Sequence, residues 1–152
     1  ATLTASWACV LVCLLIAFAF IAAVVGVDFG PHVGLCLVAI GAASLMSSAA
    51  GAALGSAGGA GIGVVSAITC LLSLFTGLYG PGAQSVANAV ELNAPLLAQA
   101  NPLWQASHCF YALLYYDSLE PFARSCAVLA GMTGMFLAIA LIRARRMTHE
   151  RL

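Results

Sequence analysis

Lysine is absent from this chain of 152 residues, and charged residues of all kinds make up only 7% of it. A soluble domain carries about 25% charged residues, so this chain has too little polar surface to fold as one. Hydrophobic residues make up 63% of the sequence, and the mean hydropathy is +1.07. The composition therefore predicts a protein in the lipid bilayer. Nucleic acid is not an expected partner, because the sequence offers no basic patch for it.

Catalytic and metal-binding motifs are also missing. The six cysteines form no Cys-x-x-Cys pair, and most lie in apolar stretches where a thiol acts as a small hydrophobic side chain. Cys36 and Cys109 both fall near the predicted outer face, so a disulfide between them stays open. Ser107-His108-Cys109 cannot supply a nucleophile and its base, since neighbours on a helix point about 100° apart. We expect no catalytic residue and no enzyme activity in this chain.

Two of the three histidines, His32 and His108, fall on the predicted outer side of the membrane. A haem or a metal shared between them is one interpretation, because histidine is a common ligand of both. Neither histidine lies within a predicted span, where paired axial ligands would hold a haem inside a bundle. We therefore expect no cofactor and no metal, and keep a haem-binding membrane anchor as the third hypothesis.

Arginines cluster at the C-terminal end. Arg143, Arg145 and Arg146 directly follow the uncharged stretch 127–142. Loops rich in arginine and lysine are retained in the cytoplasm, so these three residues serve as the topology anchor. The last span then runs from outside to inside, and the tail 143–152 is cytoplasmic.

The remaining spans are inferred from the length of the uncharged segment. Residues 33–79 carry no charge, and one helix of this length would measure about 70 Å, more than twice the roughly 30 Å hydrocarbon core. The chain must therefore turn inside this stretch. The sequence predicts one all-α domain over 1–152, a polytopic helix bundle with about four transmembrane helices at 3–27, 33–54, 62–79 and 123–142. Both termini are then cytoplasmic, and the acidic residues outside the tail are in outer loops: Asp28, Glu91, Asp117 and Glu120.

Glycine marks the place of the turn. Gly51, Gly55, Gly59 and Gly63 recur at every fourth position. Such spacing is typical of a smooth helix face for close packing, and dense glycine also removes helix propensity. We expect these residues to serve helix packing or the turn, with no role in binding a ligand.

The segment 80–122, called the outer cap here, differs from the spans. It contains four of the five prolines, Pro81, Pro95, Pro102 and Pro121. Between them, Val86–Leu97 and Leu103–Leu119 are rich in apolar and aromatic residues. This pattern predicts short amphipathic or re-entrant helices on the outer side, because amphipathic rings favour the depth of the lipid headgroups.

Apart from Arg124 at the outer edge of the span 123–142 and Tyr79 at the end of the span 62–79, the predicted spans contain no ionisable side chain but cysteine. Ionisable residues inside the membrane usually mark a proton or ion pathway. A proton-driven carrier is therefore disfavoured, and any transport must draw its energy from another component.

The order of these features resembles the C-terminal half of ABC-2 type transporter permeases. Leu74-Phe75-Thr76-Gly77-Leu78-Tyr79-Gly80-Pro81 ends a span, Asn101-Pro102-Leu103 precedes an aromatic helix, and a last span ends in Arg143-Ala144-Arg145-Arg146. In that family the first motif leads into re-entrant outer helices, and Asn-Pro-Leu precedes the last of them. The resemblance implies a structural bend and cap at Gly77, Pro81, Asn101 and Pro102.

The resemblance also implies partners. Such a chain would be the permease part of an ATP-driven exporter in the plasma (inner) membrane, with an ATP-binding cassette subunit and a second permease copy. Permeases of this family have six spans and four are predicted here, so the sequence is either a fragment or a shortened relative. The alternative is a non-catalytic four-helix membrane subunit that assembles a larger complex through its glycine-rich helices.

The topology can be tested by labelling cysteines in a chain whose native cysteines have been replaced. A membrane-impermeant maleimide should modify Glu91→Cys only from outside and His149→Cys only from the cytoplasmic side, because the tail arginines hold the C-terminus in the cytoplasm. Labelling of both positions from the same side would rule out the four-span topology.

Overall fold

The structure is a computed structural model that describes residues 2–55, 61–77 and 79–149. Across these residues the fold is helical, as the sequence predicts. Its α-helices are α1 (Thr2–Phe20), α2 (Val33–Gly55), α3 (Gly61–Leu74), α4 (Pro81–Asn93), α5 (Pro95–Gln99), α6 (Pro102–Tyr115) and α7 (Glu120–His149). A π-helical turn at Ile21–Val25 extends α1, and a 3-10 turn at Gly30–His32 leads into α2.

Three helical segments in the described residues are long and apolar enough to cross a membrane: Leu3–Val25, Gly30–Gly55 and Glu120–Arg145. They coincide with the predicted spans 3–27, 33–54 and 123–142. The predicted span 62–79 differs, because α3 has only 14 residues. At 1.5 Å per residue α3 measures about 21 Å, less than the roughly 30 Å hydrocarbon core. A turn at 75–77 ends it early, so a crossing by α3 alone stays a prediction.

The centre of the bundle is α2, which packs against α1, α3, α6 and α7. Its buried positions are mostly small residues, including Cys36, Ala39, Ser44, Ala49 and Ala53. Lipid tails are as apolar as leucine, so helices in a membrane associate mainly through close packing and hydrogen bonds, which small side chains permit. These residues explain why α2 can be surrounded on several sides.

Polar contacts fix the pairing of α1 with α2. The Trp7 indole N–H donates to Ser44 Oγ at 3.0 Å, and the Ser44 hydroxyl donates to the carbonyl of Gly41 at 2.8 Å. Near the connecting turn the rings of Phe18 and Phe29 lie 4.7 Å apart. Apart from these contacts α1 is largely uncovered, and its spanning segment contains no buried residue within this chain.

The far end of α2 is tied to α7 by an arginine. Arg143 Nη1 donates to the backbone carbonyl oxygen of Ala53 at 3.0 Å. Ala53 lies within the last turn of α2, where carbonyl groups have no partner inside the helix and carry partial negative charge. Arg143 therefore caps α2, and the C-terminal ends of α2 and α7 lie on the same side of the bundle. Both helices run in the same direction, as the predicted topology requires.

The capping of α2 by Arg143 can be tested separately from the general effect of a positively charged tail. We expect Arg143→Gln to lower the melting temperature of the purified protein by about 2–4 °C, through loss of a charged hydrogen bond at a helix end. Arg145→Gln is the matched control. It removes the same charge from an exposed side chain that lies two residues further along α7. Equal melting temperatures for the two variants, measured by circular dichroism in one detergent, would contradict the capping role.

Candidate functional site

Prolines start each short helix of the outer cap. Pro81, Pro95 and Pro102 are the first residues of α4, α5 and α6. Proline suits this position because its fixed φ angle matches a helix and its missing N–H would have no partner there. The predicted segment Val86–Leu97 is consequently two helices, since α4 ends at Asn93 and Pro95 begins α5. The predicted segment Leu103–Leu119 corresponds to α6.

Helix α6 returns into the bundle. It packs against α2, α3 and α7, and its buried residues Cys109, Ala112 and Leu113 belong to the same core cluster as Cys36 of α2 and Leu129 of α7. Only residues 116–119 separate α6 from α7, so the two form a helical hairpin. A re-entrant position of α6 in the membrane stays a prediction.

Asn101 performs two tasks at the start of α6. Its Oδ1 accepts from the backbone N–H of Leu103 at 3.0 Å, which caps the helix. Its Nδ2 donates to the carbonyl oxygen of Leu72 at 2.9 Å, which lies in the last turn of α3. Asn101 is buried, so these bonds join the end of α3 to the beginning of α6. The Asn-Pro pair is thus a structural junction.

A second junction lies beside the first. The buried side chain of Gln105 donates through Nε2 to the carbonyl oxygen of Gln99 at 2.8 Å. The side-chain oxygen of Gln99 accepts from Arg124 Nη2 at 3.4 Å. Gln99 thus connects α5 to α6 and to the first turns of α7.

Gly77 lies at the bend between α3 and α4. Its φ angle is +76°, a conformation that side chains with a Cβ rarely adopt. A Cβ placed on Gly77 would be 3.4 Å from Gln84 Cα and 3.5 Å from Ala87 Cβ. Glycine is therefore needed both for the backbone angle and for the close approach of α4.

The glycine series behaves differently. Helix α2 ends at Gly55 and α3 begins at Gly61, and the residues between them, where the turn is predicted, lie outside the described residues. Gly59 lies outside the described residues. A Cβ at Gly51, Gly55 or Gly63 would have no atom within 4 Å. These three glycines therefore make no close helix contact inside the described part of the chain, and packing on another chain stays a prediction.

A cavity of about 720 Å³ lies between α4 and α6, above the turn at Thr76 and Gly77. Aromatic rings dominate one wall and a carboxylate stands on the other. The residues important to its chemistry are Trp104, His108, Tyr111, Tyr115, Tyr116 and Glu91. Trp104 stacks on His108 with 4.6 Å between ring centroids, and Tyr111 stacks on Tyr115 at 5.7 Å.

His108 is held by its neighbours within the cap. Its Nδ1 lies 3.0 Å from Ser125 Oγ. Burial lowers the pKa of His108; the charge of Glu91 opposes this decrease and Arg124 adds to it. The imidazole is therefore neutral at pH 7. Among the described residues no group of three or more potential metal ligands is found.

All six cysteines are free. The Sγ atom of Cys109 lies 3.8 Å from the Sγ atom of Cys126, so Cys109 faces Cys126 and not Cys36. Burial raises the pKa of the Cys109 thiol to about 12, with the charge and hydrogen bond of Cys126 adding to the increase. Cys109 is thus a protonated and unreactive core residue at neutral pH.

The class of protein is now defined. The chain is a polytopic helical membrane protein in which the short helices of the outer cap are fastened to the ends of longer apolar helices. Residues 1–142 match the model of a family described as ABC-2 family transporter protein. The chain therefore belongs to this family and is a membrane permease of an ABC transporter. Comparison with curated proteins gives no match, and neither does comparison with solved structures.

The bend at Gly77 can be tested against Gly26, which has nearly the same φ angle, +75°, but no atom within 4 Å of an added Cβ. Alanine at either site should cost about 1–2 kcal/mol, because both require a left-handed backbone. Leucine at Gly77 should cost about 1–3 kcal/mol more than alanine, since the larger side chain must displace α4. Leucine at Gly26 should behave as alanine does.

Unfolding in urea of the four variants measures these differences. The informative quantity is the difference in the free energy of unfolding between the leucine and the alanine variant at each site. The backbone strain contributes equally to both variants and therefore cancels. An equal step at the two positions would show that α4 does not pack on Gly77.

Proposed function

We propose that this permease works in an ATP-driven exporter, in which a separate ATP-binding cassette subunit supplies the energy and two permease units form the pathway. The observation that carries the proposal is the combination of a folded outer cap with apolar spans whose charged side chains lie only near their ends. The family membership supports an association with an ATP-binding subunit.

The energy source is inferred from the positions of the charged residues along the chain. Between Asp28 and Glu91 the chain has no Asp, Glu, Arg or Lys, and α7 has none between Arg124 and Arg143. Of the histidines near the spans, His108 belongs to the cap and His32 lies at the start of the segment Gly30–Gly55. A proton-coupled carrier needs ionisable side chains along its path. No such relay can be built from these helices, so the free energy must come from a partner.

The orientation is part of the proposal. The bond from Arg143 to Ala53 supports a common cytoplasmic end for α2 and α7. The acidic residues Glu91, Asp117 and Glu120 lie in the cap and its turn, at the other end of α7. Both termini are then cytoplasmic in the inner membrane, and the cap covers the outer mouth of the pathway.

The second permease unit is supported by α1. Its spanning segment has no buried residue within the chain, against 39% for α2. A helix this uncovered has room to pack on another protein as well as on lipid. The alternative, a non-catalytic membrane subunit of a larger complex, uses the same surface, and the two proposals differ in whether the complex contains an ATPase.

The decisive experiment removes each energy source in turn from the complete assembly. Changing the partner's phosphate-loop lysine to alanine should abolish efflux, because that lysine contacts the phosphates of ATP. Collapse of the proton gradient by a protonophore should leave efflux intact while ATP is kept high. Efflux that follows the proton gradient, or a purified complex without a nucleotide-binding subunit, would leave the assembly subunit as the better account.

A further inference from the structure

The cavity between α4 and α6 is lined by aromatic side chains that the outer cap does not need for its packing. Three tyrosines and a tryptophan face it: Trp104, Tyr111, Tyr115 and Tyr116. Tyr115 is 75% exposed and Tyr116 is 54% exposed, so these rings are not needed to fill the core. Large aromatic surfaces left open around a cavity are available to a ligand.

The charge of the cavity has one sign. Among the described residues that line it, Glu91 is the single carboxylate and no arginine is present. His108 is neutral at pH 7, because burial lowers its pKa. Arg124 and Glu120 line a separate cavity of about 270 Å³, on the other side of the Trp104–His108 pair. The aromatic cavity therefore presents a net negative charge.

An apolar cleft adjoins this cavity. It has a volume of about 330 Å³ and lies among α1, α2, α3 and α6, lined by side chains such as Leu14, Ile40 and Phe110. Thr76 and Ser107 line both spaces, so the cleft begins where the aromatic cavity ends. A molecule that occupied both would have a polar head and an apolar tail.

We propose that the aromatic cavity and the apolar cleft together bind a cationic amphiphile, with a tertiary or quaternary ammonium head beside Glu91 and the rings. Aromatic faces attract an ammonium group electrostatically, and such groups are recognised by aromatic cages. The carboxylate of Glu91 adds a charge of the opposite sign. The uncharged tail fits the cleft because transfer of apolar surface out of water favours it.

That this amphiphile is also the exported cargo rests on the proposed function. Binding itself does not, because the site is formed by this chain without ATP or a partner. The two proposals can therefore fail separately: binding is measured on the purified protein, and energy coupling on the complete assembly.

The test uses the fluorescence of Trp104. The chain has two tryptophans; Trp104 lies in the cavity wall, and a Trp104→Phe variant, which keeps Trp7 and its bond to Ser44, should lose the signal and so assign it to the cavity. Titration with dodecyltrimethylammonium, in one non-ionic detergent, should change the emission of Trp104 to saturation. Tetramethylammonium, which lacks a tail, should need roughly tenfold or more higher concentration, because the cleft stays empty. Dodecyl sulfate and additional dodecyl maltoside should cause no saturable change.

Variants assign the effect to the site. Glu91→Gln should raise the half-saturating concentration of dodecyltrimethylammonium roughly fivefold, since it removes the opposite charge. Asp117→Asn is the matched control, because Asp117 is also an exposed acid of the cap but does not line the cavity. Tyr115→Leu should weaken binding and Tyr115→Phe should not, because phenylalanine keeps an aromatic face.

One further titration distinguishes a free cationic amphiphile from a lipid headgroup. Dodecylphosphocholine carries the same ammonium group next to a phosphate, whose charge Glu91 repels, so we expect it to bind more weakly. Equal binding of dodecylphosphocholine would overturn the assignment in favour of a zwitterionic lipid. Equal effects of Glu91→Gln and Asp117→Asn, or saturable binding of dodecyl sulfate, would overturn the cationic site altogether.

Discussion

Inside a membrane, every backbone N–H and C=O group must find a partner in the protein, and the outer cap depends on this constraint. Non-helical backbone at membrane depth is tolerated only where protein or a water-filled cavity surrounds it. The chain leaves the helical path at the turn 75–77, at Ala94 and at 100–101. At membrane depth, each departure would leave carbonyl groups that lipid cannot satisfy, at a cost of several kcal/mol apiece.

Three of the buried polar side chains are placed where this problem arises, while Ser44, Ser48 and Ser125 are buried within helices. Thr76, Asn101 and Gln105 are buried, and each donates to a backbone carbonyl at a helix end: Ser73, Leu72 and Gln99 respectively. Arg143 serves the end of α2 in the same way. A sequence with few polar residues thus uses four of them to close helix ends. The rest of the bundle is held by the small residues along α2.

The sequence predicts the parts of this fold that depend on local chemistry. Hydropathy is sufficient for the three long spans, and Pro95 was itself a signal that Val86–Leu97 would be divided. Helix α3 ends at Leu74, before the end of the predicted span 62–79, because the apolar run continues through Phe75 while the bend depends on the φ angle of Gly77. Arg143 was identified by its charge alone, since its bond to Ala53 joins residues 90 positions apart. Glu91 was recognised only as a marker of topology, because its relation to the aromatic rings exists only once α4 lies over α6.

The distribution of charge also limits how such a permease can work. A cation moving outward through the proposed exporter would meet Arg143 and Arg145 at one end of α7 and Arg124 and Glu120 at the other, with Glu91 on α4. Fixed charges do no net work over a cycle, because leaving the carboxylate costs what reaching it gained. A membrane potential that is negative inside opposes cation export by about 2.3 kcal/mol per charge for each 100 mV. In the proposed exporter, direction would therefore come from a change in the affinity of the cavity, driven by the partner. Helix α4, which carries Glu91 and packs mainly on the short helix α5, is the wall whose movement would make that change.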